Sequence, residues 1–323
     1  MSAVLRVAAA ALILSGIALV IDVRAVWRLF DLRLLTAVIL IQPAMAAAWL
    51  FAGWRFALLI PGRRPGILRA CKALLLANGL NLVVPARIGE IVKATYLREH
   101  TGIPVEHGVA AIVTEKLQDF AVISAIGLVA LGMLGLAGNP RIAIAAAAIG
   151  TIAVALLVVF RTRWERLLAA LPKSLEIRLA PPLAGVASAM RDHRFWPALG
   201  AAAAVWALNF SGGWVLVSYQ QIGELSLPQF AGLFSATLLA GAIPGLPGGF
   251  GAYEAAAVLV LTGFGFTPEA AFALGLTLHL GQIILGVLLA GAIAATESTG
   301  VAGLIRAATA AKGTATLQEP DGS

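Results

Sequence analysis

Charge is scarce in this chain: Asp, Glu, Lys and Arg make up 12% of its 323 residues, while hydrophobic residues make up 60%. A soluble domain carries roughly a quarter charged residues. The composition therefore excludes an ordinary soluble fold, and a mean hydropathy of +0.93 points into a bilayer. Cysteine is nearly missing. Cys71, the only one, excludes an internal disulfide framework or a cysteine metal cluster and reads as a small apolar packing residue. Strict alternation of apolar and polar residues is lacking too, which argues against a transmembrane β-barrel.

Motifs of soluble catalysis are also lacking. There is no clustered Cys/His set, no Walker loop and no Gly-x-Ser-x-Gly elbow, and Gly248-Gly249-Phe250-Gly251 has neither the spacing nor the preceding strand of a dinucleotide fingerprint. ATP hydrolysis by this chain alone is set aside, no cofactor or metal is expected, and the chain is read as a transporter rather than an enzyme. The +7 net charge and pI of 10.2 do not indicate nucleic acid, because the basic residues gather at the edges of apolar runs. Anionic lipid headgroups are the better counterpart. Trp27, Trp164 and Trp196, beside basic residues, read as interfacial anchors.

What the sequence has in quantity is apolar length, and about 20 helical residues cross ~30 Å of hydrocarbon. The expected architecture is an all-α polytopic membrane helical bundle of about six spans plus two re-entrant helical hairpins. Span 1 covers about 4–21, read as a retained span rather than a cleaved signal. Span 2 covers about 35–60. Residues 68–97 are apolar but broken at Asn78, Asn81, Pro85 and Gly89, so they read as two half-helices, followed by a long helix over 105–136. After the turn Gly138-Asn139-Pro140, span 4 covers 142–160 and a polar, interfacial, Arg-rich loop covers 161–195. Span 5 covers 197–219, a second broken segment 228–261 and span 6 268–295. Residues 296–323 read as a flexible tail.

The order repeats, giving a first repeat over 1–137 and a second over 138–295. At a constant offset of 164 positions, Glu90 aligns with Glu254, Pro104 with Pro268, and Gln118 with Gln282. If each hairpin re-enters on one side, each half crosses three times and the second half is inverted, an architecture used by transporters. The distribution of Arg and Lys favours the cell (inner) membrane with both termini cytoplasmic, although Arg24, Arg28, Arg33 and Arg141 then face outwards.

Backbone broken at membrane depth must be buried in the bundle or face a wet cavity. The helix starts near Arg87 and Ala252 offer free N–H groups to an anionic group, and Gly248, Gly249 and Gly251 allow close backbone approach or simply tight helix packing. Arg87, Glu90 and Lys93 share one helical face; Arg87 is the residue expected to grip a headgroup phosphate, and Lys93 is expected at the interface. Glu90 and Glu254 either cap first-turn N–H groups or take part in transport. Glu115 and Asp119, with Lys116 alongside, are expected to pair with Arg87 across the bundle, and His279 and Gln282 stand at the matching place in the second half.

The run Asn81-x-x-x-Pro85-x-Arg87-x-Gly89-Glu90, then Glu115-Lys116-x-x-Asp119, then Pro247-Gly248-Gly249-x-Gly251-x-x-Glu254 resembles the membrane domain of lysylphosphatidylglycerol synthase/flippase proteins and their stand-alone flippase-like relatives. The resemblance covers about 5–295. It implies re-entrant helices in inverted repeats and the handling of polar lipids or lipid-linked sugars. Only a short tail follows Ala295, so lysyl transfer is not carried over, and His279 stands where many relatives are expected to have arginine. The leading expectation is a flippase-like transporter that binds a polar, phosphate-bearing lipid headgroup, either phospholipid or lipid-linked glycan, in a cavity between the hairpins. The alternatives are a membrane enzyme or accessory subunit of phospholipid or polyprenyl-linked sugar synthesis, with Glu115, Asp119 and His279 as acid/base groups, and a scaffold for such a complex.

Overall fold

A computed structural model describes residues 32–62, 64–83, 88–134, 172–220, 222–242 and 247–296, with isolated positions between 159 and 166. The expected spans over 4–21 and 142–160, the turn at 138–140, Pro85, Arg87, Pro244 and the tail beyond Thr296 lie outside the described residues. Those that are described form helices, with no strand among them.

Four helices are long and apolar enough to cross a membrane: α1 (Leu32–Leu59), α4 (Val105–Leu134), α6 (Phe195–Gln220) and α9 (Pro268–Thr296). They contain 26 to 30 residues, about 39–45 Å at ~1.5 Å per residue, against ~30 Å of hydrocarbon. The two broken segments resolve into pairs of short helices, α2 (Ile67–Val83) with α3 (Ile88–Thr101), and α7 (Leu227–Gly241) with α8 (Ala252–Gly263). At 12 to 17 residues, each rises only about 18–26 Å, so none crosses alone. The basic segment after span 4 is more than a loop. It holds α5 (Lys173–Arg191), whose Val186 and Met190 are buried with Ala110 of α4 and Phe195.

The bundle buries its ionisable groups among apolar clusters and turns large apolar side chains outwards. Leu32, Leu35, Ile39, Leu40, Leu50, Val129, Met133, Leu259 and Leu288 point outwards, while Arg55, Lys93, Glu115, Glu254 and His279 are buried. A lipid-facing protein needs that distribution, because the outer surface meets hydrocarbon and ionisable groups must find partners within the bundle.

α1 packs along α6, α2 against α9, α4 against α7, α3 against α4, and α8 against α9. Exchanging α1–α4 for α6–α9 leaves this set of pairings unchanged. Small residues make the crossings close: a methyl group at Gly79 of α2 would lie 2.6 Å from the Ala290 Cβ of α9. One apolar cluster surrounds the first hairpin, with Phe56, Leu59, Leu74, Tyr96 and Leu97. A second surrounds the other, with Phe230, Phe234, Tyr253, Leu274 and Leu278, and its edge-to-face ring pairs include Phe210 on Phe230 at 4.9 Å.

Candidate functional site

A cavity of about 500 Å³ lies between these clusters and is walled by α1, α2, α3, α4, α6, α7, α8 and α9. Charge enters it from three helices: Arg55 near the end of α1, Glu90 and Lys93 on α3, and Glu115, Lys116 and Asp119 on α4. The Arg55 guanidinium reaches Asp119 (Nη1 to Oδ1, 2.5 Å) and Glu115 (Nη2 to Oε1, 3.3 Å), and Lys93 Nζ reaches Glu115 Oε2 at 2.7 Å. Glu115 thus holds a cation on each oxygen.

The Trp206 indole N–H donates to Asp119 Oδ1 at 2.8 Å, and Lys93 Nζ lies 4.0 Å from the centroid of the Phe56 ring. Arg55, Lys93 and Glu115 are 3%, 1% and 3% exposed, a depth at which ions persist only because each is paired. Glu90 and Lys116 complete the network more loosely, 3.5 Å apart. Among the described residues, three cations face three carboxylates, so their charges balance.

The second hairpin builds a different site from the same position. Gly248, Gly249 and Gly251 have φ of 59°, 82° and 87°, the left-handed region where a side chain is strained. This turn delivers the Gly251 N–H to Glu254 Oε2 at 2.6 Å. Glu254 Oε1 bonds His279 Nδ1 of α9 at 2.7 Å, and His279 Nε2 lies 3.0 Å from the Gly248 carbonyl oxygen. Tyr253 stacks on the imidazole, with ring centroids 4.3 Å apart. An acceptor oxygen faces each ring nitrogen. Both bonds form only when the imidazole and carboxyl together hold two protons, as imidazolium with carboxylate or as imidazole with carboxylic acid.

Asn81, Glu90, Glu115, Lys116, Asp119, Gly248, His279 and Gln282 all line the cavity. Glu254 stands behind His279, 1% exposed. Gly249 and Gly251 are buried in the turn, where their conformation is required by the backbone. Arg87 lies outside the described residues.

Two expectations are corrected. Lys93 is not interfacial but among the most buried side chains, because Glu115 compensates its charge. Among the described residues, Glu115 and Asp119 pair with Arg55 and Lys93 from α1 and α3, while the expected pairing with Arg87 lies outside them. Glu90 is not the cap of α3: Asn81 Oδ1 accepts from the Gly89 N–H at 2.9 Å, and the Glu90 carboxylate turns to the cavity.

Sequence reasoning missed Arg55, Trp206 and Asn209 and read Asn78 only as a break in the first hairpin; all four line the cavity. Arg55 carried a usable signal, a charge within an apolar span. Trp206 and Asn209 had none, since polar and aromatic residues on a span face the cavity or the lipid according to helix rotation.

The long apolar helices, the lipid-facing exterior and the buried ionic cavity define a multi-pass membrane protein. The family follows from the sequence match: the model of the lysylphosphatidylglycerol synthase TM region covers residues 4–290, and the chain belongs to that family. No curated protein matches it.

Proposed function

We propose that this protein is a flippase-like transporter of polar lipids, with the headgroup passing through the cavity while the acyl tails stay in the bilayer. The observation that carries this reading is the cavity itself: about 500 Å³, walled by both hairpins and lined by a buried ionic network within an apolar bundle. The short helix pairs are read as re-entrant hairpins, and the exchange of pairings between α1–α4 and α6–α9 supports an inverted repeat. The family name points to a lipid-related role. On this reading the chain sits in the cell membrane with both termini cytoplasmic, by the placement of Arg and Lys.

Plugging the cavity without touching an ion tests the proposal. The Asn209 side chain bonds only the Val205 carbonyl of its own helix, at 2.8 Å. Protein in vesicles with a tail-labelled phospholipid should move lipid between leaflets, and Asn209→Trp should slow this about tenfold or more, a rise of ~1.4 kcal/mol in the barrier. Unchanged movement in a well-folded Asn209→Trp protein would place the route elsewhere.

A further inference from the structure

The loosest part of the ionic network indicates which headgroup the cavity takes, an inference that rests on the lipid-binding reading above. Arg55, Lys93, Glu115 and Asp119 satisfy one another at 2.5 to 3.3 Å. Glu90 and Lys116 do not. Glu90 Oε2 is buried and makes no hydrogen bond, and the Lys93 ammonium facing it is 3.9 Å away. Lys116 Nζ stands 3.5 Å from Glu90 Oε1 and 3.7 Å from Glu115 Oε1, with its side chain 39% exposed. The Glu90–Lys116 pair is therefore the loosest and most exposed in the wall, with side chains 24% and 39% exposed, and its carboxylate is short of donors, which is costly at this depth.

We infer that the cavity selects a net-neutral headgroup carrying one phosphodiester and one primary ammonium. The guest opens the loose Glu90–Lys116 pair: its ammonium N–H groups donate to Glu90 Oε1, and its phosphodiester oxygens accept from Lys116 Nζ. Charge balance gives the same answer. The described charges of the wall already cancel, so a net-neutral guest adds no surplus to them in a medium of low dielectric, whereas a purely anionic headgroup adds one and leaves Glu90 without its donor. A quaternary ammonium supplies charge but no N–H, so it leaves the Glu90 oxygen equally unsatisfied. Two polar groups already on the wall, Asn78 and Asn209, lie in the same cavity and supply amide donors and acceptors for the rest of the headgroup.

The test uses the full chain in vesicles holding tail-labelled phosphatidylethanolamine, phosphatidylglycerol or phosphatidylcholine, with the label on the acyl chain so that the amine stays free. Transbilayer movement is read by dithionite quenching. Phosphatidylethanolamine should cross about tenfold or more faster than the other two, the range of one charge-assisted hydrogen bond. Glu90→Gln should bring it down to the phosphatidylglycerol rate, and Lys116→Gln should slow every phosphodiester lipid. Equal wild-type rates for the three lipids, or loss of all three by one factor in Glu90→Gln, overturns the inference. Should no lipid cross at all, the transport reading fails and binding decides the headgroup. In detergent, glycerophosphoethanolamine should then raise the melting temperature of the wild-type protein more than glycerophosphoglycerol does, and equal shifts overturn the selectivity.

Discussion

Glu90 and Glu254 occupy matching places, each in the first turn of the second helix of a hairpin, yet their surroundings differ completely. Glu254 spends both oxygens on the protein, one on the Gly251 N–H and one on His279, and is sealed from the cavity. Glu90 keeps an oxygen without a donor, because Asn81 caps the helix in its stead. At the offset that aligns the halves, Lys93, Lys116 and Asp119 face Ala257, Leu280 and Ile283, and Glu115 faces His279. One hairpin carries an ionic wall and the other a hydrogen-bonded latch. Matching positions thus hold one carboxylate that is fully bonded within the protein and another that keeps an oxygen without a donor.

The comparison breaks most visibly through Glu115. Glu115→Gln leaves Arg55 and Lys93 buried without their shared counter-charge, and loss of one partner from a buried pair costs about 3–5 kcal/mol. The expected result is a sharp fall in folded yield and melting temperature in detergent. A stable Glu115→Gln protein would mean that water already compensates the two cations.

The second hairpin should be hurt less. Glu254→Ala leaves the Gly251 N–H and an imidazole nitrogen without partners, at about 1–3 kcal/mol. Glu254→Gln should restore most of this, since its oxygen accepts from Gly251 and its amide donates to His279, leaving the other ring nitrogen to bond Gly248. Melting curves that place both variants at the same low stability would refute the latch.

The smallest effect belongs to a pair outside both sites, which sets what such a contact is worth in water. Arg194 donates to Asp192 through Nη2 at 2.5 Å, and this hydrogen bonding holds the aspartate at about 2, against ~3.9 unpaired. A depressed carboxylate stabilises the fold fully above about pH 4 and loses that contribution as the pH falls through about 2. Asp192→Asn should therefore lower the melting temperature slightly at neutral pH, and the gap should close on acidification. The partly exposed position keeps the effect small.

The helices over 32–59, 105–134, 195–220 and 268–296 were legible within a few residues, because apolar length against bilayer thickness is a strong constraint. So were the breaks, since Pro85 and the Gly248–Gly251 turn have no place in a continuous helix. The pairing of charges was not. Nothing local says that Arg55 and Asp119 meet: the contact depends on the crossing of α1 and α4, which residue spacing does not report. Lys93 misled because position near a helix end suggests the interface, whereas Glu115 brings it inside.

The cross-pairing of the halves bears on how the chain is made. Gly79 of the first hairpin closes on Ala290, and Ser235 of the second bonds the Ile123 carbonyl of α4. These contacts span more than a hundred residues each, and closing so long a loop carries an entropic cost that only the finished contact offsets. The ionic pairs, by contrast, join α1, α3 and α4, which are near one another in sequence. The charged wall can thus form from neighbouring helices, whereas the small-residue face of α2 stays uncovered until α9 has been made.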